Sequence, residues 1–261
     1  MIDRTASETN TGPAVIAVCG KGGVGKTTIS AMLTRALMDR RHARVLAVDA
    51  DPAVGLATSL GMAVTKTVDQ IRNDLVRDIG SGRSGEPDEI LRRLDYDVMA
   101  ALAEERNLAF LAIGRPEGEG CYCQVNKLLK AIISKLAASF DYVVIDGEAG
   151  IEQINRRVMA AVTHLLLVSD TSLKGINVCR TIQSVAASAI AYRHQGVIIN
   201  RVRPSEAAFL ASLPPDLGPA GTIPESEAIR RGDMAGRSIW ALPACKALQA
   251  LDRCLGRVLQ I

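Results

Sequence analysis

Aromatic side chains are nearly missing from this chain: one Trp, four Tyr and three Phe in 261 residues. A core has to be assembled from Ala, Val, Leu and Ile instead, within a hydrophobic fraction of 48%. That suits a β-branched parallel sheet covered by Ala- and Leu-rich helices. Charge of one sign is also lacking; the formal net charge is +3, so composition carries no nucleic-acid footprint. No apolar run reaches the ~18–20 residues of a membrane span. The first residues, MIDRTASETNTGP, are polar and lack the apolar segment of a secretory leader. A cytoplasmic protein without a membrane span is expected. In that compartment the six cysteines are expected to be metal-binding, catalytic or buried, not disulfide-bonded. Histidine is scarce too, and His42, His164 and His194 are expected to be structural.

What is present is a regular alternation. Short β-branched runs fall at 14–19, 44–48, 108–113, 142–145, 164–168, 196–199 and 221–223. Helical patterns lie between them at 26–38, 126–138, 153–161, 173–191 and 225–231, and a last one begins near Leu242. Strand–helix alternation implies an α/β fold with right-handed crossovers. The expected architecture is a single domain, residues 1–261, with a mostly parallel sheet of about seven to eight strands and helices on both faces. Ligands then sit at the carboxyl ends of the strands. Residues 1–12 read as a polar tail. The stretch 62–107 is longer than one crossover helix requires and contains GSGRSGEPDE, Gly80–Glu89, a flexible joint between two helical pieces. It is expected to be a mobile helical insertion that serves as a lid or partner surface, or else a tolerated surface excursion.

Directly after the first strand comes GKGGVGKTT, Gly20 to Thr28. It satisfies G-x-x-x-x-G-K-[ST] in the strand–loop–helix context that gives the motif its meaning. Glycines let backbone N–H groups of Gly20, Lys21, Gly22, Gly23, Val24 and Gly25 turn toward phosphate oxygens, and the helix N-terminus adds positive dipole. Lys26 is expected on the β- and γ-phosphates, Thr27 on Mg²⁺, and Thr28 beside the nucleotide. VLAVDADPAVG places Asp49 and Asp51 at the end of the second strand, and DYVVIDGEAG is an apolar strand ending in Asp146. Asp146 reads as a Walker-B carboxylate that holds Mg²⁺ through water; taken singly, such an acid also serves as a helix cap. Gly150 follows where a backbone N–H meets the γ-phosphate. A guanine-reading N-K-x-D element is absent, because the corresponding strand ends VIINRVR with Asn200 before Arg201. ATP is the expected nucleotide.

GKGGVGKTT, with its additional Lys21, resembles the deviant P-loop group of MinD/ParA ATPases and the nitrogenase iron protein. The resemblance implies that Lys21 reaches across a dimer interface to the partner's nucleotide, that Asp51 positions the attacking water, and that Asn200 contacts adenine. Lys21, Lys26 and Asp51 thus form the expected catalytic set. On physical grounds alone, Lys21 is equally a solvated loop lysine.

GRPEGEGCYCQVN, Gly114–Asn126, carries Cys121 and Cys123 after the third strand. Two soft thiolates suit zinc, nickel, copper(I) or iron–sulfur over magnesium and calcium. They cannot complete a tetrahedral site alone, but two copies on a two-fold axis give four sulfurs. Read in isolation, the pair is as well explained as a turn that contains sulfur. Together with DGEAGIE, this segment closely resembles the CooC family, nickel-insertion ATPases that mature carbon monoxide dehydrogenase. That resemblance implies an ATP- and metal-driven homodimer and one Ni²⁺ or Zn²⁺ per dimer held by Cys121 and Cys123. The implied client is an apo-nickel enzyme such as carbon monoxide dehydrogenase, with no nucleic-acid partner. The chain departs from the family pattern at Ala53, where Asn is common, and at Gly147, where Met or Thr is common. Two other readings stand beside it: an ATP-gated iron–sulfur carrier like the nitrogenase iron protein, and a MinD/ParA-like positioning ATPase.

Overall fold

The computed structural model describes residues 12–81, 86–115, 123–147, 154, 158, 161–189 and 192–258. Eight strands form one sheet: β1 (Ala14–Gly20), β2 (Val45–Asp49), β3 (Ala103–Glu105), β4 (Leu108–Ala112), β5 (Tyr142–Asp146), β6 (His164–Ser169), β7 (His194–Val202) and β8 (Pro219–Pro224). Their order is β3-β4-β2-β5-β1-β6-β7-β8. Every pairing is parallel except the edge pair β3–β4.

Strands β1, β2, β4, β5 and β6 are buried along nearly their whole length because both faces of the sheet are covered there. In β1, Val15, Ala17 and Cys19 face one apolar cluster while Ile16 and Val18 face the other. The first cluster is closed by α3 (Val68–Gly80), α4 (Pro87–Ala101), α5 (Cys123–Ala137) and α6 (Leu173–Ala189), which bring Ile71, Leu94, Leu129 and Ile176 onto the sheet. The opposite cluster is closed by α1 (Lys26–Arg41), α2 (Gly55–Leu60) and α9 (Lys246–Val258), through Leu33, Leu56, Leu251 and Leu255. Two further helices, α7 (Ala207–Ala211) and α8 (Glu227–Met234), flank β8 in sequence.

The seven expected strands all form; five are extended at their ends, β2 is shifted by one residue to Val45–Asp49 and β4 stops one residue early at Ala112. The eighth, β3, was not legible: it has three residues, Ala-Glu-Glu, and no apolar alternation. Within 62–107, α3 and α4 form on either side of the glycine-rich joint, and Ile71, Leu75, Leu94 and Val98 are buried in the common core. Thr67 caps α3 through a capping box with Gln70, and Asp69 N–H donates to the Ile113 carbonyl at the end of β4. The final helix lies on the sheet, burying Ala247, Leu251 and Leu255. Of the helix expected at 153–161, only Ile154, Val158 and Ala161 lie within the described residues. Among the described residues no helix is long and apolar enough to cross a membrane.

Strand order positions the site. β1 lies at the centre, between β5 and β6, and the chain crosses from β1 to β2 on one side and from β6 to β7 on the other. Register sets Asp146 beside both Val18 and Asp49, and Gly20 beside Val168. The carboxyl ends of these four strands therefore converge at one rim, the place where open α/β sheets bind ligands.

Candidate nucleotide site

The segment Gly20–Gly25 turns from β1 into α1. Gly25 stands at the N-cap with φ 91°, and a Cβ there would lie 2.7 Å from Asn200 Nδ2; only glycine fits both constraints. No side chain caps α1 and no acid occupies its first turn. The leading N–H groups of a 16-residue helix are thus left for an anion. Lys26 is buried, and its ammonium donates to the Lys21 carbonyl at 3.4 Å.

Two buried carboxylates meet this turn from the neighbouring strands. Ser30 Oγ, one helical turn beyond Thr27, donates to Asp146 Oδ1 at 3.0 Å, while Asp146 Oδ2 is buried with no hydrogen-bond partner. Burial lifts the Asp146 pKa to about 6 against the pull of Thr27, Ser30 and Lys26. Burial, with Asp146 close by, lifts Asp49 to about 7, although the Leu56 and Asp51 amides donate to it. Asp51 is half-buried and accepts from Ala53 N–H at 2.9 Å. An orphaned carboxylate oxygen near a threonine hydroxyl is a hard-oxygen donor set of the kind Mg²⁺ takes alongside water and phosphate. The residues present therefore fit that ion.

Lys21 does not stand free in solvent. Its Nζ donates to Asp170 Oδ2 at 3.3 Å. Asp170 follows β6, and its Oδ1 accepts from Ser172 Oγ. Burial opposes ionisation of Asp170, but the Ser172 and Lys21 contacts prevail and hold its pKa below the usual value.

Asn200 and Arg201 brace the loop from the end of β7. Asn200 Nδ2 donates to the Val24 carbonyl at 2.8 Å and Arg201 Nη1 to the Gly23 carbonyl at 3.0 Å. Arg201 takes a left-handed φ of 58° to do so. Next to them a cleft of roughly 290 Å³ opens, lined by Thr28, Met32, Asn200, Ile223, Asp233 and Met234 among others. It joins apolar walls to a few polar groups beside the phosphate turn, as a planar base requires.

The expected residues Gly20–Thr28, Asp51, Asp146 and Asn200 are thus gathered at one rim. Gly150 and Cys121 lie outside the described residues, and of Cys123 only the backbone, as first residue of α5, is described. Among the described residues no cluster of three or more His, Cys, Asp or Glu forms a metal cage. Cys19 is buried behind the loop, which pushes its pKa to about 12 despite Lys26; it is inert packing, as expected. Three contributors were missed. Ser30 was within reach, since it shares a helix face with Thr27. Asp170 required the strand order, and Arg201 required its backbone conformation.

Residues 15–239 match the family model described as the CobQ/CobB/MinD/ParA nucleotide binding domain. An uncharacterized ATP-binding protein of Methanocaldococcus jannaschii is 36% identical over 238 residues, covering 88% of this chain and 91% of that one. The carbon monoxide dehydrogenase accessory protein CooC of Rhodospirillum rubrum is 31% identical over 247 residues, with 88% and 91% covered. Among solved structures, the cell division ATPase MinD of Pyrococcus furiosus superposes with a TM-score of 0.62 at 25% identity, covering 94% of this chain and 98% of that one. A sheet with this order, an uncapped helix opening within GKGGVGKTT and two carboxylates at nearby strand ends agree with that match, and the chain belongs to the CobQ/CobB/MinD/ParA nucleotide-binding family of P-loop ATPases.

Proposed function

We propose that the chain is an ATP-driven metallochaperone that delivers nickel to an apo-nickel enzyme, carbon monoxide dehydrogenase or a relative. The observation that carries this reading is the Cys121-Tyr122-Cys123 pair in a chain 31% identical to a carbon monoxide dehydrogenase accessory protein over nearly its full length.

In this reading ATP phosphates lie on the N-terminus of α1 among the Gly20–Gly25 amides. Lys26 holds the β- and γ-oxygens, and the Gly150 amide contacts the γ-phosphate. Thr28 and Asn200 border the base in the cleft beside α8. Mg²⁺, held by Thr27 and through water by Asp146, supplies charge neutralisation on the phosphates. Asp51 orients the attacking water. Lys21 leaves Asp170 to meet the nucleotide of a second subunit, so that two copies close face to face. Cys121 and Cys123 from each copy then supply four thiolates, a complete soft tetrahedral set for Zn²⁺ or Ni²⁺ as cargo. ATP hydrolysis separates the subunits and releases the metal.

Anaerobic metal titration with and without a non-hydrolysable ATP analogue, monitored by molar mass, tests this. One metal per dimer is expected, lost in C121S and C123S. Full metal binding by a strictly monomeric double-cysteine variant would refute it. The MinD superposition favours a second reading, a positioning ATPase. ATP-dependent retention on liposomes or DNA, unchanged after loss of both cysteines, would establish that reading instead.

A further inference from the structure

Two carboxylates, Asp49 and Asp146, end adjacent strands in direct register, yet their oxygens are used differently. Asp146 leaves Oδ2 without a partner. Asp49 is fully buried at 0% exposure, and each of its oxygens accepts a main-chain N–H. Oδ1 takes Asp51 N–H at 3.0 Å and Oδ2 takes Leu56 N–H at 2.8 Å. These two amides bracket the turn that carries Asp51. Within it, Ala53 N–H donates to Asp51 Oδ1 at 2.9 Å and Val54 N–H to the Asp51 carbonyl at 3.0 Å. Val54 is held at φ 50°, a left-handed conformation that a β-branched residue enters only when its surroundings impose it. Val54, the N-cap of the short helix that follows, offers no capping side chain, so the bond from Leu56 N–H to Asp49 is the side-chain anchor of that first turn. The Asp49 carboxylate is thus what ties this strained turn to the end of β2.

We propose that Asp49 is the positioning residue of the catalytic turn, not a second cation ligand: its two oxygens clamp residues 51–56 and hold Asp51 at the edge of the phosphate site. This rests on the reading of Asp51 as the group that orients water. The physical demand is specific to a carboxylate. In Asp49→Asn the amide oxygen still accepts one main-chain N–H, but the NH₂ group confronts the other, donor against donor. The turn loses one anchor while Asp146, Thr27 and the phosphate loop stay intact.

The test is steady-state ATP hydrolysis by the full chain, with Mg²⁺ titrated at saturating ATP. For D49N, kcat falls roughly 10- to 100-fold, the cost of misplacing a catalytic group by a fraction of an ångström. KM for ATP and the Mg²⁺ half-saturation stay within about twofold, the split expected when only transition-state positioning is lost. D146N, the control for a cation ligand, raises the Mg²⁺ half-saturation at least about tenfold. A D49N profile that shifts with Mg²⁺ as D146N does overturns the proposal, and so does an unchanged kcat. D51N separates the two readings: full activity there refutes the role of Asp51, whatever D49N does. Should D49N fail to fold, amide hydrogen exchange on the unaltered protein decides. The Asp51 and Leu56 amides are protected in the free protein and remain so with Mg²⁺ and ADP. Faster exchange on adding Mg²⁺ would show Asp49 turning to the ion and overturn the proposal.

Discussion

Replacing Asp170 by Asn removes the negative charge that holds Lys21 against its own subunit and keeps a carbonyl-type oxygen for Ser172. Lys21 Nζ and Asp170 Oδ2 are 3.3 Å apart, with side chains 29% and 36% exposed. Water and salt reach such a pair, so it contributes only about 0.2–1 kcal/mol. Releasing it raises the share of molecules with an available Lys21 by roughly 1.4- to 5-fold, because each 1.4 kcal/mol is about a factor of ten. A symmetric dimer releases two such contacts, and the factors multiply. ATP-dependent dimerisation of D170N should therefore tighten by roughly 2- to 30-fold. Sedimentation or light scattering with a non-hydrolysable ATP analogue measures it at low and high salt. The gain shrinks as salt rises, since screening weakens the latch in the unaltered chain as well. K21A should lose ATP-dependent dimerisation. Equal or weaker dimerisation of D170N at low salt would refute the argument, because Lys21 would then have nothing to gain by leaving Asp170.

Two other predictions concern the buried end of the site. Gly147→Thr should destabilise the fold by about 1–3 kcal/mol in denaturant titration, as overpacking does. A Cβ at Gly147 would lie 2.9 Å from the Val18 carbonyl and 3.0 Å from Ile154 Cδ1; unchanged stability would mean that the packing there yields. Asp146 and Asp49 have pKa values raised to about 6 and about 7, so the folded state binds protons that the unfolded state has released. Their contribution to stability is greatest at low pH and falls as pH rises through those values. Nucleotide-free protein in EDTA should melt at a higher temperature near about pH 5.5 than near about pH 8, and D146N should flatten the trend. A steeper trend in D146N would contradict the assignment.

How much of this was legible beforehand follows from what each feature depends on. The parallel strands are apolar because both faces are covered, so β-branched runs mark them without knowledge of their neighbours. The phosphate turn is equally local, since its glycines and lysine are adjacent in the chain. β3 was missed because its Ala-Glu-Glu sequence is held by pairing with β4 and not by burial. Asp170 lies 149 residues from Lys21, and only the placement of β6 beside β1 brings them together. Asp49 and Asp51 were read as a pair in sequence, but their division of labour depends on which main-chain groups each oxygen accepts.

The departures at Ala53 and Gly147 acquire a physical sense from the same geometry. At position 53 the contribution to the turn is a main-chain N–H on Asp51, which any residue but proline supplies, so Ala in place of Asn leaves the contact intact. At position 147 the main chain passes against Val18, Gly147 N–H donating to its carbonyl at 2.9 Å, while Ile154 and Cys19 fill the space a side chain would take. A side chain there would crowd the Val18 carbonyl as well as Ile154 and Cys19, a cost that glycine avoids. In this chain the turn after β2 is tied down by the two oxygens of Asp49, and at the end of β5 the main chain of Gly147 is held by the Val18 carbonyl, so both departures fall where main-chain contacts, not the side chain at the position itself, hold the backbone.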